Sequence, residues 1–322
     1  MDRTFLRLAR AATVLALFVV TIGAYVRLTD AGLGCPDWPG CYGQLVVSES
    51  LAADPGIGDE FGRAVDTGKA WREMIHRYLA STLGLLILAL AFVGWRKRHE
   101  AGQPWRVPLL LVGLVIFQGL LGMWTVTLLL KPLIVVAHLV GGLSTLALLF
   151  WLARYPIARI ELPRARALGL AATAALIVQI VLGGWTSANY AALACPDFPT
   201  CQTQWWPEIA DFEEGFVLWR GLGVDYEGGV LDHPARVAIH FVHRLGALLA
   251  AALLAAFGYV LARRAESRFA GLAVLGALGL QLALGISIVL GGVPLTIAVA
   301  HNAVAAVLLL TVLNAHKRLW QS

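Results

Sequence analysis

Charge is what this sequence most lacks. Of 322 residues only 14% are Asp, Glu, Lys or Arg, where a soluble domain carries about a quarter. Together with a mean hydropathy of +0.74, that excludes an ordinary soluble domain. Basic residues form no stripe either. The net charge of +5 comes from residues clustered at the ends of apolar runs, so nucleic acid is excluded as a partner. Cysteine is sparse, with four in all, and the first apolar run has no clear small-x-small site where a signal peptidase would cut.

What is present is apolar length. Eight runs, at roughly 9–28, 73–94, 107–129, 133–153, 167–187, 236–262, 268–290 and 294–315, are each long enough to cross a hydrocarbon layer of about 30 Å. The sequence therefore predicts an all-α integral membrane protein, and membrane lipid is its surrounding partner. Arg3, Arg7 and Arg10 precede the first run, Arg96, Lys97, Arg98 and Arg106 lie between the second and third, and Arg154, Arg159, Arg164 and Arg166 follow the fourth. Arg263, Arg264, Arg268, Lys317 and Arg318 continue the alternation. With eight crossings all of these fall on one side, which the positive-inside rule makes cytoplasmic, with both termini. Two long acidic loops, about 29–72 with Asp54, Asp59, Glu60 and Asp66 and about 188–235 with Asp211, Glu213, Glu214, Asp225 and Glu227, then lie outside. Trp205, Trp206 and Trp219 in the second suggest a loop resting partly on the membrane surface.

The halves repeat. Cys35-Pro-Asp-Trp-Pro-Gly-Cys41 recurs as Cys195-Pro-Asp-Phe-Pro-Thr-Cys201. Gly23 and Gly183 each stand 12 residues before the first cysteine; Gln118 and Gln281 stand 20, and Gly122 and Gly285 stand 16, before His138 and His301. These offsets predict two parallel copies of a four-helix bundle, 1–160 and 161–322, related by an axis along the membrane normal.

Four histidines occupy matched places. His76 and His243 begin the apolar parts of their helices as His-Arg pairs, and His138 and His301 sit just inside later runs. Ionisable residues in membrane helices are costly and mark function. The depths of His76 and His138 match, as do those of His243 and His301, so each pair can face across its bundle and hold haem iron from both sides. Ala80, Gly141, Gly142, Gly246, Ala247 and Ala305 share the histidine faces and leave room for a flat macrocycle. Arg77 and Arg244 could meet propionates. Zinc fits less well, because no third His, Cys or Asp recurs beside both pairs; Cys-x-x-Cys-His is absent, so covalent haem attachment is not indicated. The plainer reading has each histidine hydrogen-bonding between helices. His99, His233 and His316 read as solvated.

Three residues before His76 stands Glu73, whereas His240 holds the same place before His243. A carboxylate at only one site can take a proton there, which assigns chemistry to the N-terminal half and a permanent haem to the C-terminal half; alternatively Glu73 is an exposed carboxylate favoured at a helix start. Cys35 with Cys41 and Cys195 with Cys201 read as two disulfides, for local shaping or for thiol exchange.

Val26-Arg-Leu-Thr29, Gly32-Leu-Gly-Cys-Pro-Asp-Trp-Pro39, Glu73-Met-Ile-His-Arg77, Ala191-Ala-Leu-Ala-Cys-Pro-Asp-Phe-Pro199, His138, His243-Arg244 and His301 together resemble the haem A synthase family over nearly the whole chain. The resemblance implies a membrane oxidoreductase that oxidises the C8 methyl of haem O to a formyl group, giving haem A for terminal oxidases. It implies haem O between His76 and His138 with Glu73 catalytic, and haem b on His243 and His301. Haem O synthase, cytochrome oxidase assembly and an unidentified electron acceptor are the implied partners, and the cell membrane the place. The competing readings are a di-haem b-type cytochrome for electron transfer and a haem carrier.

Overall fold

The computed structural model describes residues 1–49, 51, 55–154 and 162–320; Asp54, Arg159 and the expected 160/161 boundary lie outside them. Eight long helices follow one another: α1 Arg3–Leu28, α2 Thr67–Arg96, α3 Arg106–Thr127, α4 Pro132–Ala153, α5 Pro163–Ala188, α6 His233–Ala262, α7 Arg268–Leu290 and α8 Leu295–Trp320. All eight are long and apolar enough to cross a membrane. Among the described residues there is no β-strand, only isolated bridges in the outer loops. An all-helical fold is what a bilayer demands, since a helix satisfies its backbone groups internally.

Several helices outrun the apolar stretches that betrayed them. Helix α2 starts at Thr67 rather than near 73, because Asp66 caps it by accepting a hydrogen bond from the Lys69 amide at 2.9 Å. Asp2 caps α1 in the same way, accepting from the Phe5 amide at 3.0 Å. Hydropathy reports which residues avoid water, whereas a helix ends where its orphan amides find a cap.

The chain forms two compact units. The first comprises residues 1–146 together with Leu218–Val230, and the second comprises Ala147–Val217 and the chain from Leu231 onward. Lipid tails are as apolar as leucine, so membrane helices associate through close packing of small residues. In the first unit α1 presents the buried stripe Ala9, Ala12 and Ala16 and packs on α2, where Gly94 meets Phe5. Gly142 of α4 lies against Val20 of α1, and Gln118 of α3 donates to the main-chain carbonyl of His138 at 2.9 Å. In the second unit α6 and α7 approach so closely that a Cβ on Gly271 would stand 2.5 Å from the Gly258 carbonyl oxygen. Large side chains such as Phe18, Leu85, Leu110 and Leu248 are exposed on outer helix faces, as lipid contact requires.

The segment Leu218–Val230 straps onto the first unit. Tyr226 is buried beside Leu33, Val126 and Leu130, and its amide donates to the Leu129 carbonyl at 3.0 Å. Lys131 is 1% exposed; its ammonium caps the carbonyls of Arg220 and Gly221 and lies 3.6 Å above the Trp219 ring. Arg63 pairs with Asp225 at 2.7 Å and with Glu227, and Lys69 reaches Glu227 at 3.1 Å. Trp219 thus serves as a platform for Lys131, while Trp205 and Trp206 stay exposed.

Candidate haem sites

The two Cys-Pro-Asp loop motifs build matching platforms. Disulfides join Cys35 to Cys41 and Cys195 to Cys201, each with its Cα atoms 4.7 Å apart. The aspartate of each Cys-Pro-Asp stretch folds the turn that follows. Asp37 accepts from the amides of Tyr42 and Gly43 at 2.6 and 2.9 Å, and Asp197 from those of Gln202 and Thr203 at 2.8 and 3.0 Å. Burial opposes ionisation of Asp197, but the Thr200 hydroxyl and those two amides outweigh it and hold the carboxyl below its usual value. Sequence reasoning missed these aspartates, although their recurrence in both motifs was a visible signal.

Each platform is seated on the helix that carries a His-Arg pair. Gly34 lies directly on α2, where a Cβ would come within 2.5 Å of the Lys69 carbonyl carbon. The next amide, of Cys35, donates to Glu73 Oε2 at 2.8 Å, and the other carboxylate oxygen pairs with Arg77. Arg77 also donates to the carbonyls of Asp37, Pro39 and Gly40. In the second unit the Cys195 amide donates to His240 Nδ1 at 3.2 Å, while Arg244 donates to the carbonyls of Cys195, Asp197 and Thr200. Glu73 and His240 therefore hold equivalent posts, one a carboxyl group and one an imidazole. Glu73 is 5% exposed and lies well inside α2, so it is not an exposed helix-start carboxylate. Both guanidinium groups are engaged by the loops, and any propionate would compete with those carbonyls.

Behind these platforms stand the histidines. His76 and His138 face each other with ring centres 6.5 Å apart and ring planes at 79°. Two imidazoles on opposite sides of one iron need about 6 Å, from two metal–nitrogen bonds of about 2 Å each plus the ring radii. A glycine backs every ring: a Cβ on Gly23, Gly122, Gly183 or Gly285 would lie 3.0, 3.5, 3.2 or 3.1 Å from Cε1 of His76, His138, His243 or His301 respectively. The glycines at repeated offsets are thus the space in which the imidazoles sit. Among the described residues no three His, Cys, Asp or Glu gather to hold a metal; what the chain offers at these matched places is imidazole, a donor that holds haem iron.

His316 corrects the sequence reading. It is buried rather than solvated, with Nε2 2.7 Å from the Thr173 hydroxyl and the ring stacked on Phe257 at 5.7 Å; it tethers α8 to α5 and α6. Lys317 next to it is buried too, 5% exposed, and donates to the main-chain carbonyls of Trp151 and Arg154. His99 and His233 are exposed as expected.

Eight helices long and apolar enough to cross a membrane, with the His76 and His138 rings facing each other in the first unit, define the class. Residues 7–313 match the COX15-CtaA family of cytochrome oxidase assembly proteins, and the chain belongs to that family. It is similar to the protein named Heme A synthase of Shewanella oneidensis, 44% identical with 97% of this chain and 96% of that protein covered. The Heme A synthases of Sphingopyxis alaskensis, 30% identical over 96% of this chain and 90% of theirs, and of Halalkalibacterium halodurans, 29% identical over 92% and 90%, are similar too.

Proposed function

We propose that this protein is a haem A synthase, an oxidoreductase of the cell membrane that converts haem O to haem A for terminal oxidases. The observation carrying this is the His76–His138 pair at 6.5 Å with the buried carboxylate of Glu73 one helical turn away on α2. Two parallel four-helix copies divide the work: the N-terminal half takes haem O as substrate on His76 and His138, and the C-terminal half keeps haem b on His243 and His301. The bound porphyrins supply the iron chemistry that oxidises the C8 methyl to a formyl group.

The chain's own residues hold and poise. Glu73 stands at one site only, where a carboxylate accepts protons released as a nearby carbon is oxidised. Arg77 and the Cys35 amide fix its orientation, which lowers the reorganisation that proton transfer demands. The glycines behind the rings set ligand position, and the disulfide platforms close the outer ends. Both termini lie in the cytoplasm and the long loops outside, with the electron acceptor and haem O synthase as partners.

The test is pigment analysis of full-length protein purified from cells that make haem O. Wild type should contain haem b and accumulate haem A, whereas Glu73→Ala should keep haem b and lose most conversion. Two permanent haem b groups and no haem A in wild type would instead make it a di-haem cytochrome.

A further inference from the structure

Beside the first histidine pair stand two arginines that the second half lacks. Gly23 of α1 backs the His76 ring, a Cβ there lying 3.0 Å from Cε1. Four residues further along α1 is Arg27, and four residues before His76 on α2 is Arg72. The two helices run in opposite directions, so both steps lead to the same end of the first unit, about 6 Å from the ring toward the loops. There the guanidinium groups gather at one turn of chain: Arg72 donates to the Thr29 carbonyl at 3.4 Å, and Arg27 meets Asp30 at 3.4 Å. The repeat makes the asymmetry plain. By the offsets that match Gly23 with Gly183 and His76 with His243, Arg27 corresponds to Ser187 and Arg72 to Ile239, and Ile239 is buried hydrocarbon. The rings of the second pair have uncharged partners, the Gln179 amide lying 3.0 Å from His243 Nδ1 and the Gln281 amide 3.2 Å from His301 Nε2.

We propose that Arg27 and Arg72 form a carboxylate subsite for the two propionates of the porphyrin on His76 and His138, so that the first site reads substrate charge and the second does not. Carboxylates are costly in hydrocarbon, so a porphyrin gripped inside the bundle turns its acidic edge to the loop end, where both arginines stand. A guanidinium suits a carboxylate in geometry as well as in charge, and its five N–H donors serve more than one acceptor. Contacts at 3.4 Å are weak ones, and they yield to a closer acceptor. Asp30, with its side chain 48% exposed, then turns to water. Arg77 is less suited, because it would have to abandon the carbonyls of Asp37, Pro39 and Gly40. A rim that recognises charge lets its ligand enter and leave with that edge toward water, as a substrate must. This inference rests on the reading that His76 and His138 hold a porphyrin.

The test uses full-length protein from cells that make no haem O, so that substrate does not occupy the first site. It is titrated with ferric protoporphyrin IX or with its dimethyl ester, and Soret absorbance follows each addition over that of the retained haem. Wild type should bind the diacid at least about tenfold more tightly than the ester. Arg27→Gln with Arg72→Gln should weaken diacid binding by about tenfold for each guanidinium removed and leave the ester's affinity in place, so that the preference disappears. Retention of the haem already present shows that the variant is folded. An unchanged preference in the folded double variant would overturn the proposal. So would a wild type that binds diacid and ester alike, a measurement that needs no variant. A His76→Ala protein that still takes up the added porphyrin with wild-type affinity would instead overturn the reading beneath it.

Discussion

Replacing Gly34 by alanine tests how the first platform is seated. The added Cβ would stand 2.5 Å from the Lys69 carbonyl carbon, 2.7 Å from its oxygen and 2.8 Å from the Ala70 amide nitrogen. All three are helix backbone and cannot move aside, so the loop must lift by about 1 Å to reach ordinary contact. That lift strains the neighbouring 2.8 Å bond from the Cys35 amide to Glu73. Overpacking of this kind costs about 1–3 kcal/mol, and a lost hydrogen bond to a charged group about 1.5–3 kcal/mol. The two overlap, so about 1.5 kcal/mol is the minimum, or roughly tenfold more opening of the loop. The readout is the disulfide itself. Cys35 and Cys41 are both 0% exposed, so a water-soluble phosphine can reduce them only when the loop opens. Cys195–Cys201, 0% and 1% exposed, serves as the internal reference. Mass-tagging of freed thiols over time should show Cys35–Cys41 reduced at least tenfold faster in Gly34→Ala and the other bridge unchanged. An unaltered ratio of the two rates would refute the packing argument.

Other consequences are as direct. Burial of Glu227 opposes its ionisation, but hydrogen bonds from Arg63 and Lys69 prevail and hold its carboxyl below the usual 4.5. Its folded-state pKa being depressed, the strap's stabilisation is complete above about pH 4.5 and fades as pH falls through the lowered value. Glu227→Gln should therefore weaken the strap at pH 7 by about 1 kcal/mol and reduce its acid sensitivity, with the Asp225–Arg63 pair left in place, both visible as proteolysis within Leu218–Val230. Gly271→Leu should push α6 from α7 and lower the thermal midpoint in detergent, at a cost of about 1–3 kcal/mol or more; Gly276→Ala, with nothing within 4 Å of the new Cβ, should leave the midpoint in place. His316→Phe should keep the stacking on Phe257 but lose the hydrogen bond to the Thr173 hydroxyl, costing about 1 kcal/mol by the same assay.

The helices were legible where burial in lipid leaves a compositional mark. All eight apolar runs became helices, and those of α3, α4 and α7 ended within a residue or two of their expected limits. The start of α2 was not, because Thr67 to Arg72 are polar and depend on the Asp66 cap. Site residues divide in the same way. His76, His138, His243 and His301 stood out as costly groups in apolar surroundings, and the glycines at fixed offsets announced themselves by repetition. Gln179 gave no such sign: it has no counterpart in the first half, and one glutamine in an apolar run does not say which ring it touches. Arg77 and Arg244 stood out beside their histidines, but their hydrogen bonds to loop carbonyls did not, because these depend on how a loop folds back over its own helix.

Amino-acid order alone sufficed for the eight crossings, the internal similarity and the candidate ligands, since each rests on hydrophobicity or spacing, which are properties of the chain read locally. Folding in three dimensions settled the rest: that Glu73 is buried beneath the Cys35 amide, that Leu218–Val230 straps the first unit, that His316 is an interior tether, and that the Gln179 amide meets the His243 ring. These depend on which atoms meet across long stretches of chain, and close packing in a bundle resolves such meetings to within the width of a single methyl group.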